Sequence, residues 1–186
     1  MNPVLRAVDA AFARDGTQFV APFTLTVASA ETCELPQPNA RAASIAARMC
    51  AAIVKPTGGT IFVGEYETRL QPPQAKRQVG FVDADGFVGD AHAFKCDVAF
   101  RAEVWDVEYA AARARAERVL EELGEGGAYA RAVALALVAD VALIVLDRPP
   151  AAILLRVRDI APGAAIVFSS EPVVFAPERA LSGAAP

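Results

Sequence analysis

The feature that most constrains this chain is the run Val141–Asp147, VALIVLD, which is apolar throughout and closes on a carboxylate. Seven residues are too few for a buried helix. An unbroken apolar run of that length fits a strand covered on both faces, as in a parallel sheet with helices on each side. Ala164–Phe168 (AAIVF) carries the same signature, and Val173–Phe175 reads as a further edge strand. Between apolar runs of this kind the chain reads as helix, so the class is α/β.

The first half is richer in strands. Gln18–Val27 is dominated by aromatic and β-branched residues and reads as strand with a break at Pro22. Thr32–Leu35 reads as a short extended piece leading into the turn Pro36–Asn39, and further strands are expected over Thr60–Val63 and Val79–Val82. Ile45, Met49, Ala52 and Ile53 share one face of a helix that stops before Pro56. Later come a helix over Val107–Leu123, the turn Gly124–Gly127, and a second helix over Tyr129–Val138. On the first of these, Arg113/Glu117 and Arg118/Glu122 are i,i+4 pairs on a solvated face. Residues 177–186 read as a frayed tail.

Composition narrows the function classes. The chain of 186 residues is 54% hydrophobic and 22% charged, enough for one cored domain, and 41 alanines favour helix. A net charge of −4 gives no field for recruiting nucleic acid or anionic lipid. Cys33, Cys50 and Cys96 form no CxxC, which suits a reduced, cytoplasmic chain without a structural metal. Cys50 reads as a small core hydrophobe, and Trp105 as core or interface. The N-terminus lacks a signal-peptide pattern, and the most apolar window, Ala132–Leu146, is too short and interrupted by Asp140, so no membrane insertion is expected. His92, the single histidine, lies in GDAHAF, read as an exposed loop; it excludes a multi-His metal site and has no nearby nucleophile motif.

FTLTV, the PN loop opening a helix, KPTGGTIFVG, VGFV, ERVLEELG, GEGG, ARAVALALVAD and VALIVLDRPP stand in the order and approximate spacing of the nucleotide-binding domain of ABC transporters, which the chain resembles over most of its length. The resemblance implies a P-loop NTPase-like core sheet flanked by helices, with an N-terminal antiparallel β portion and a small helical subdomain. It implies a single ABC-ATPase-like domain over 1–186, with the core at about 1–88 and 139–176 and the helical subdomain at about 89–138.

The chemistry departs from that family. A phosphate loop needs glycines whose N–H groups curl around phosphate, a Lys for the β and γ charges, and a hydroxyl for Mg²⁺. Aligned on Pro38 and Asn39, the glycine positions hold Gln37 and Ala42 and the Lys position Ala43; Ser44 keeps the hydroxyl, and Arg41 lies two residues before the Lys position. Ala84, between Asp83 and Asp85, stands for the family's glutamine. Asp147 keeps the Walker B carboxylate, but Arg148 follows where the family has its glutamate, and a guanidinium cannot accept a proton at neutral pH. Glu125, Gly126 and Gly127 represent the signature turn, Ser170 stands near the switch histidine's place, and PPAAILLRVRD replaces the dimer-contact loop.

The resemblance therefore implies vestigial nucleotide-binding residues (Asn39, Arg41, Ser44, Asp147), a vestigial signature turn (Glu125, Gly126, Gly127) and no catalytic or metal-ligating residue; no cofactor is expected, with ATP and Mg²⁺ left open as the ligands of the alternative below. The reading is a pseudo-ATPase partnered by an active ABC-type ATPase subunit or a membrane-spanning subunit, cytoplasmic and held at the inner face of the membrane through that partner. Three alternatives stay open: a working ATP-binding subunit whose atypical loop uses Arg41 and Asp147, a protein-binding role that has replaced any nucleotide role, and an α/β domain of unrelated function.

Overall fold

Asp15 and Gly16 both adopt left-handed backbone (φ 50° and 74°), the geometry of a two-residue hairpin turn. They join β1 (Leu5–Arg14) to β2 (Thr17–Val27), with Arg14 paired to Thr17. The whole structure is a computed structural model that describes residues 3–124 and 127–171. The sequence pattern does not mark β1 as a strand: a bulge at Asp9 (φ 48°) breaks its alternation, and alanines supply much of its buried face. Opposite the bulge stands Gly59 (φ 65°), where a Cβ would lie 2.2 Å from the Asp9 carbonyl oxygen; only glycine fits there.

In chain order follow β3 (Thr32–Pro36), α1 (Ala40–Cys50), β4 (Gly58–Val63), β5 (Tyr66–Glu67), α2 (Pro72–Lys76) and β6 (Val79–Val82). Then come α3 (Ala91–Val104), α4 (Tyr109–Leu123), α5 (Ala128–Ala136), β7 (Leu143–Asp147), α6 (Ala151–Ile160) and β8 (Ala165–Ser170). The strands form an antiparallel sheet ordered β2-β1-β4-β5 and a parallel sheet ordered β3-β8-β7-β6. Pro22 does not break β2. That strand is the sheet's edge, paired only with β1, and Pro22 falls in a register shift, so its missing N–H leaves no ladder bond unmade.

All five residues of β7 are buried, as an apolar strand with two covered faces requires. Leu143 and Val145 pack with α1 and the antiparallel sheet, while Ile144 and Leu146 pack with the core of α3–α6. The parallel sheet thus separates two apolar cores. At Gly80 on β6 a Cβ would sit 2.6 Å from the Ala136 carbonyl oxygen, so α5 approaches that strand at backbone distance.

Three helices, α2, α3 and α6, stand where the sequence pattern marks none. α3 takes Asp90 as N-cap, its carboxylate accepting from Ala93 N–H at 2.8 Å, and buries only Val98 and Ala102, so no apolar stripe announces it. His92 therefore lies in a helical first turn, 3.7 Å from Cys96 Sγ, and not in a loop. α2 and α6 occupy the polar linker and the segment after Pro150. α1 ends at Cys50, which leaves Ile53 beyond it and 47% exposed, off the buried face expected for it; Tyr109 is likewise 44% exposed. Among the described residues no helix is long and apolar enough to cross a membrane. The strand read over Val173–Phe175, the tail, Glu125 and Gly126 lie outside the described residues.

Candidate functional site

Ligands of open α/β sheets bind in the crevice outside the carboxyl ends of the parallel strands. Here that rim is built by the β3–α1 loop, the end of β7 and the end of β8. The loop is three residues long, Gln37–Asn39. Asn39 caps α1: its Oδ1 accepts from Ala42 N–H at 2.9 Å, and its carbonyl accepts from Ala43 N–H at 3.0 Å. The second of these is the helix's own first bond; of the four N–H groups that the helix start leaves without an intrahelical partner, that of Ala42 is used by the Asn39 side chain, where an open phosphate loop would offer it to an anion.

The structure brings Ser44 and Asp147 together. Ser44 Oγ donates to Asp147 Oδ2 at 2.5 Å. Asp147 is 0% exposed, and its other oxygen accepts from Ser169 Oγ at 2.9 Å and from Arg148 Nε at 3.3 Å. Arg148 Nη2 donates onward to Ser44 Oγ at 3.3 Å, and Nη1 lies 3.7 Å from Glu171 Oε1. The register explains Ser169: it pairs with Asp147 across β7–β8. Ser170, one residue on, faces away and donates to Glu34 on β3, so the residue set near the switch-histidine position is not the one that reaches the site. Arg148 holds left-handed backbone (φ 47°), uncommon for a non-glycine residue.

A second acid–arginine pair stands beside the first. Arg48, one turn beyond Ser44 on α1, donates to Asp83 Oδ2 at 2.6 Å. Burial raises the Asp83 pKa, but the Arg48 hydrogen bond and charge, with the Asp85 and Ala84 N–H groups, outweigh it and hold the carboxyl below its usual value. Tyr129, near the start of α5, donates its hydroxyl to the Asp147 carbonyl at 3.1 Å. Burial, then the charges of Asp147 and Asp83, push that phenol far above its usual pKa, so it remains a donor. Gly127 caps α5 without a side-chain bond.

Arg41 is not drawn into this cluster. Its guanidinium lies 4.3 Å over the Phe19 ring on β2, a cation–π contact. It borders a cleft of about 450 Å³ between the antiparallel sheet and α1, lined also by Phe12, Arg14, Arg48 and Arg148. Sequence reasoning missed Arg48, Ser169 and Tyr129. The signal for Arg48 was present: Arg41, Ser44 and Arg48 fall at i, i+3 and i+7, a polar stripe on an otherwise buried alanine-rich helix.

ATP with Mg²⁺ is the ligand such a rim would take in an ABC-type ATPase, and the residues here do not fit it. The carboxylate beside the hydroxyl is engaged by an arginine, the loop N–H groups are partly consumed, and Ala43 offers no ammonium. Among the described residues no cluster of three or more His, Cys, Asp or Glu side chains could hold a metal ion.

No sequence-family profile matches the chain, and no curated protein matches it by sequence. Solved structures do. An ATP-binding subunit of an ABC transporter superposes with TM-score 0.71 at 16% identity, covering 90% of this chain and 79% of its own. cbiO1 of Clostridium perfringens, part of the ABC transporter complex cbiONQ, gives TM-score 0.67 at 18% identity over 92% of this chain and 80% of its own. An ATP-binding cassette in a dimeric post-hydrolysis state, bound to ADP and Pi, gives 0.71 at 15% over 89% and 87%. The fold is therefore that of the ABC transporter ATP-binding subunits, an α/β, P-loop NTPase-like fold with an added antiparallel sheet.

Proposed function

We propose that this chain is a degenerate ABC-type ATP-binding subunit, a pseudo-ATPase that serves as a structural or regulatory partner in an ABC transporter-like complex and hydrolyses little or no ATP. The observation that carries the reading is the guanidinium of Arg148 lying on both Asp147 and Ser44. Phosphoryl transfer depends on positioned charge around the phosphates. In this reading the positive charge on the rim is spent on the protein's own carboxylates, and no residue at the Arg148 position can accept a proton from water.

The partner in this reading is an active ABC-type ATPase subunit or a membrane-spanning subunit, and the chain works in the cytoplasm. An apolar groove of about 400 Å³ supports a protein partner: it is lined by Ile53, Pro73, Phe81, Val104 and Trp105, and Ile53 and Val104 are 47% and 43% exposed. The domain works as one unit over 1–186, with the core at about 1–88 and 139–176 and the helical part at about 89–138. Asn39, Arg41, Ser44 and Asp147 are then remnants of a nucleotide site, and Gly127, with Glu125 and Gly126, a remnant of the signature turn.

A second reading, a working ATP-binding subunit with an atypical phosphate loop, is favoured by one observation: Arg14, Arg41, Arg48 and Arg148 all border the same cleft. Phosphate release from Mg-ATP by the purified chain separates the two, run alone and then with the partner that co-purifies from the source cell. The pseudo-ATPase gives no turnover alone and travels with an active ATPase or membrane subunit. Turnover by the lone monomer favours the second reading.

A further inference from the structure

Two soft donors meet on α3, an element that lends no side chain to the rim. His92 and Cys96 stand four residues apart in the first two turns, so both fall on one face of the helix. Cys96 Sγ lies 3.7 Å from His92 Nε2 in hydrogen-bonding geometry: with the ring proton on Nδ1, the thiol donates to the Nε2 lone pair. Sulfur and nitrogen are therefore turned toward one another, and a single ion placed between them meets both. Among the described residues neither side chain has another hydrogen-bond partner, and both are exposed. The charged residues nearest them in the chain are Asp90, Lys95 and Asp97, two acids to one base.

The separation selects the kind of ion. A tetrahedral Zn²⁺, with bonds of about 2.3 Å to sulfur and about 2.05 Å to nitrogen, sets those two atoms about 3.6 Å apart. A linear, two-coordinate ion with similar bonds would need about 4.4 Å. Mg²⁺ and Ca²⁺ take oxygen, whereas thiolate with imidazole suits zinc and its like. Spacing of i and i+4 is how one helix face grips one ion with two side chains. Cys33 and Cys50 compete poorly for it: burial, first among the causes, pushes both thiols up, and Cys50 is fully buried.

We propose that His92 and Cys96 form an open, exchangeable site for one divalent cation of the zinc class on the exposed face of α3. Among the described residues no third His, Cys, Asp or Glu completes a cluster there, so water fills the remaining positions. On binding, the thiol proton leaves to the buffer while metal–sulfur and metal–nitrogen bonds form; nothing is oxidised or reduced. The ion ties the first turn of α3 to the second, in a helix that buries only Val98 and Ala102. The site needs neither nucleotide nor partner and stands apart from the function proposed above.

The test uses the full chain, reduced and without nucleotide, with Co²⁺ as probe, because a cobalt–thiolate bond gives a near-ultraviolet charge-transfer band. The wild type should develop that band to saturation at one Co²⁺ per chain, and Zn²⁺ should remove it by displacement. Cys96→Ser should lose the band, and His92→Gln should weaken Co²⁺ binding roughly tenfold or more, since one of two linked contacts is gone. Ala91→His combined with His92→Ala keeps the composition but moves the imidazole off the shared face, and should weaken binding as much. Positions 91, 92 and 96 are all exposed, so these variants keep the fold. Cys33→Ser should change nothing. The proposal is overturned if millimolar Co²⁺ gives the wild type no band, or if His92→Gln binds as tightly as the wild type. A band that survives Cys96→Ser or vanishes in Cys33→Ser marks an adventitious ion only, and overturns it equally.

Discussion

The interior of the parallel sheet and its carboxyl rim are built from adjoining residues of the same strands, yet they solve different problems. In β7, Leu143–Leu146 alternate between two apolar cores and need no partner beyond close packing. One residue on, Asp147 is equally buried but polar, and Ser44, Ser169, Arg148 and Tyr129 all bond to it. The interior tolerates any sequence of the right size and period. At the rim, a buried carboxylate depends on its particular partners.

The contrast can be broken first from the interior. Val145→Asp puts an unpaired charge between α1 and the antiparallel sheet and should cost more than about 4 kcal/mol, leaving no cooperative unfolding transition by circular dichroism. At the rim, Arg148→Gly should cost about 3 kcal/mol in chemical denaturation, because Asp147 stays buried after its counter-charge is gone. If the glycine variant matched the wild type, the rim would be as tolerant as a surface. Asn39→Ala removes the cap of α1 and should cost about 1 kcal/mol, the scale of a single N-cap.

The smallest effect belongs to the half-exposed pair Arg48–Asp83, worth less than about 1 kcal/mol. Asp83 has a depressed pKa in the folded state, so its contribution is present above the ordinary carboxyl value and is lost as pH falls through the lowered one. Acid titration of stability should therefore be shallower in Asp83→Asn than in the wild type: the variant is the less stable of the two near neutrality, and the gap closes as pH falls through the lowered pKa.

The sequence announced the interior more clearly than the rim for a physical reason. LIVLD, the strand within VALIVLD, and the AAIV of AAIVF are buried on both faces, so their composition alone carries the signal; Val141 and Ala142 precede the strand, and Ala142 is exposed. β1 was hidden because the Asp9 bulge interrupts its period and alanine is a weak marker of burial, although Asp15-Gly16 marked its turn. α3 was hidden because its apolar residues are scattered around the helix, and Phe100 remains 64% exposed. At the rim, the order of motifs brought Ser44 and Asp147 into view, and Arg148 could be read as the wrong residue for a base. That the same arginine turns back onto Asp147 depends on its backbone angle. That Ser169, and not Ser170, faces the site depends on strand register. Neither is written in residue type.

A titration of the purified wild-type chain with labelled ATP, with and without Mg²⁺, meets the central claim most directly. A rim closed by its own arginine predicts no saturable binding that depends on Mg²⁺. Micromolar affinity that requires Mg²⁺ and is lost in Asp147→Asn would contradict it.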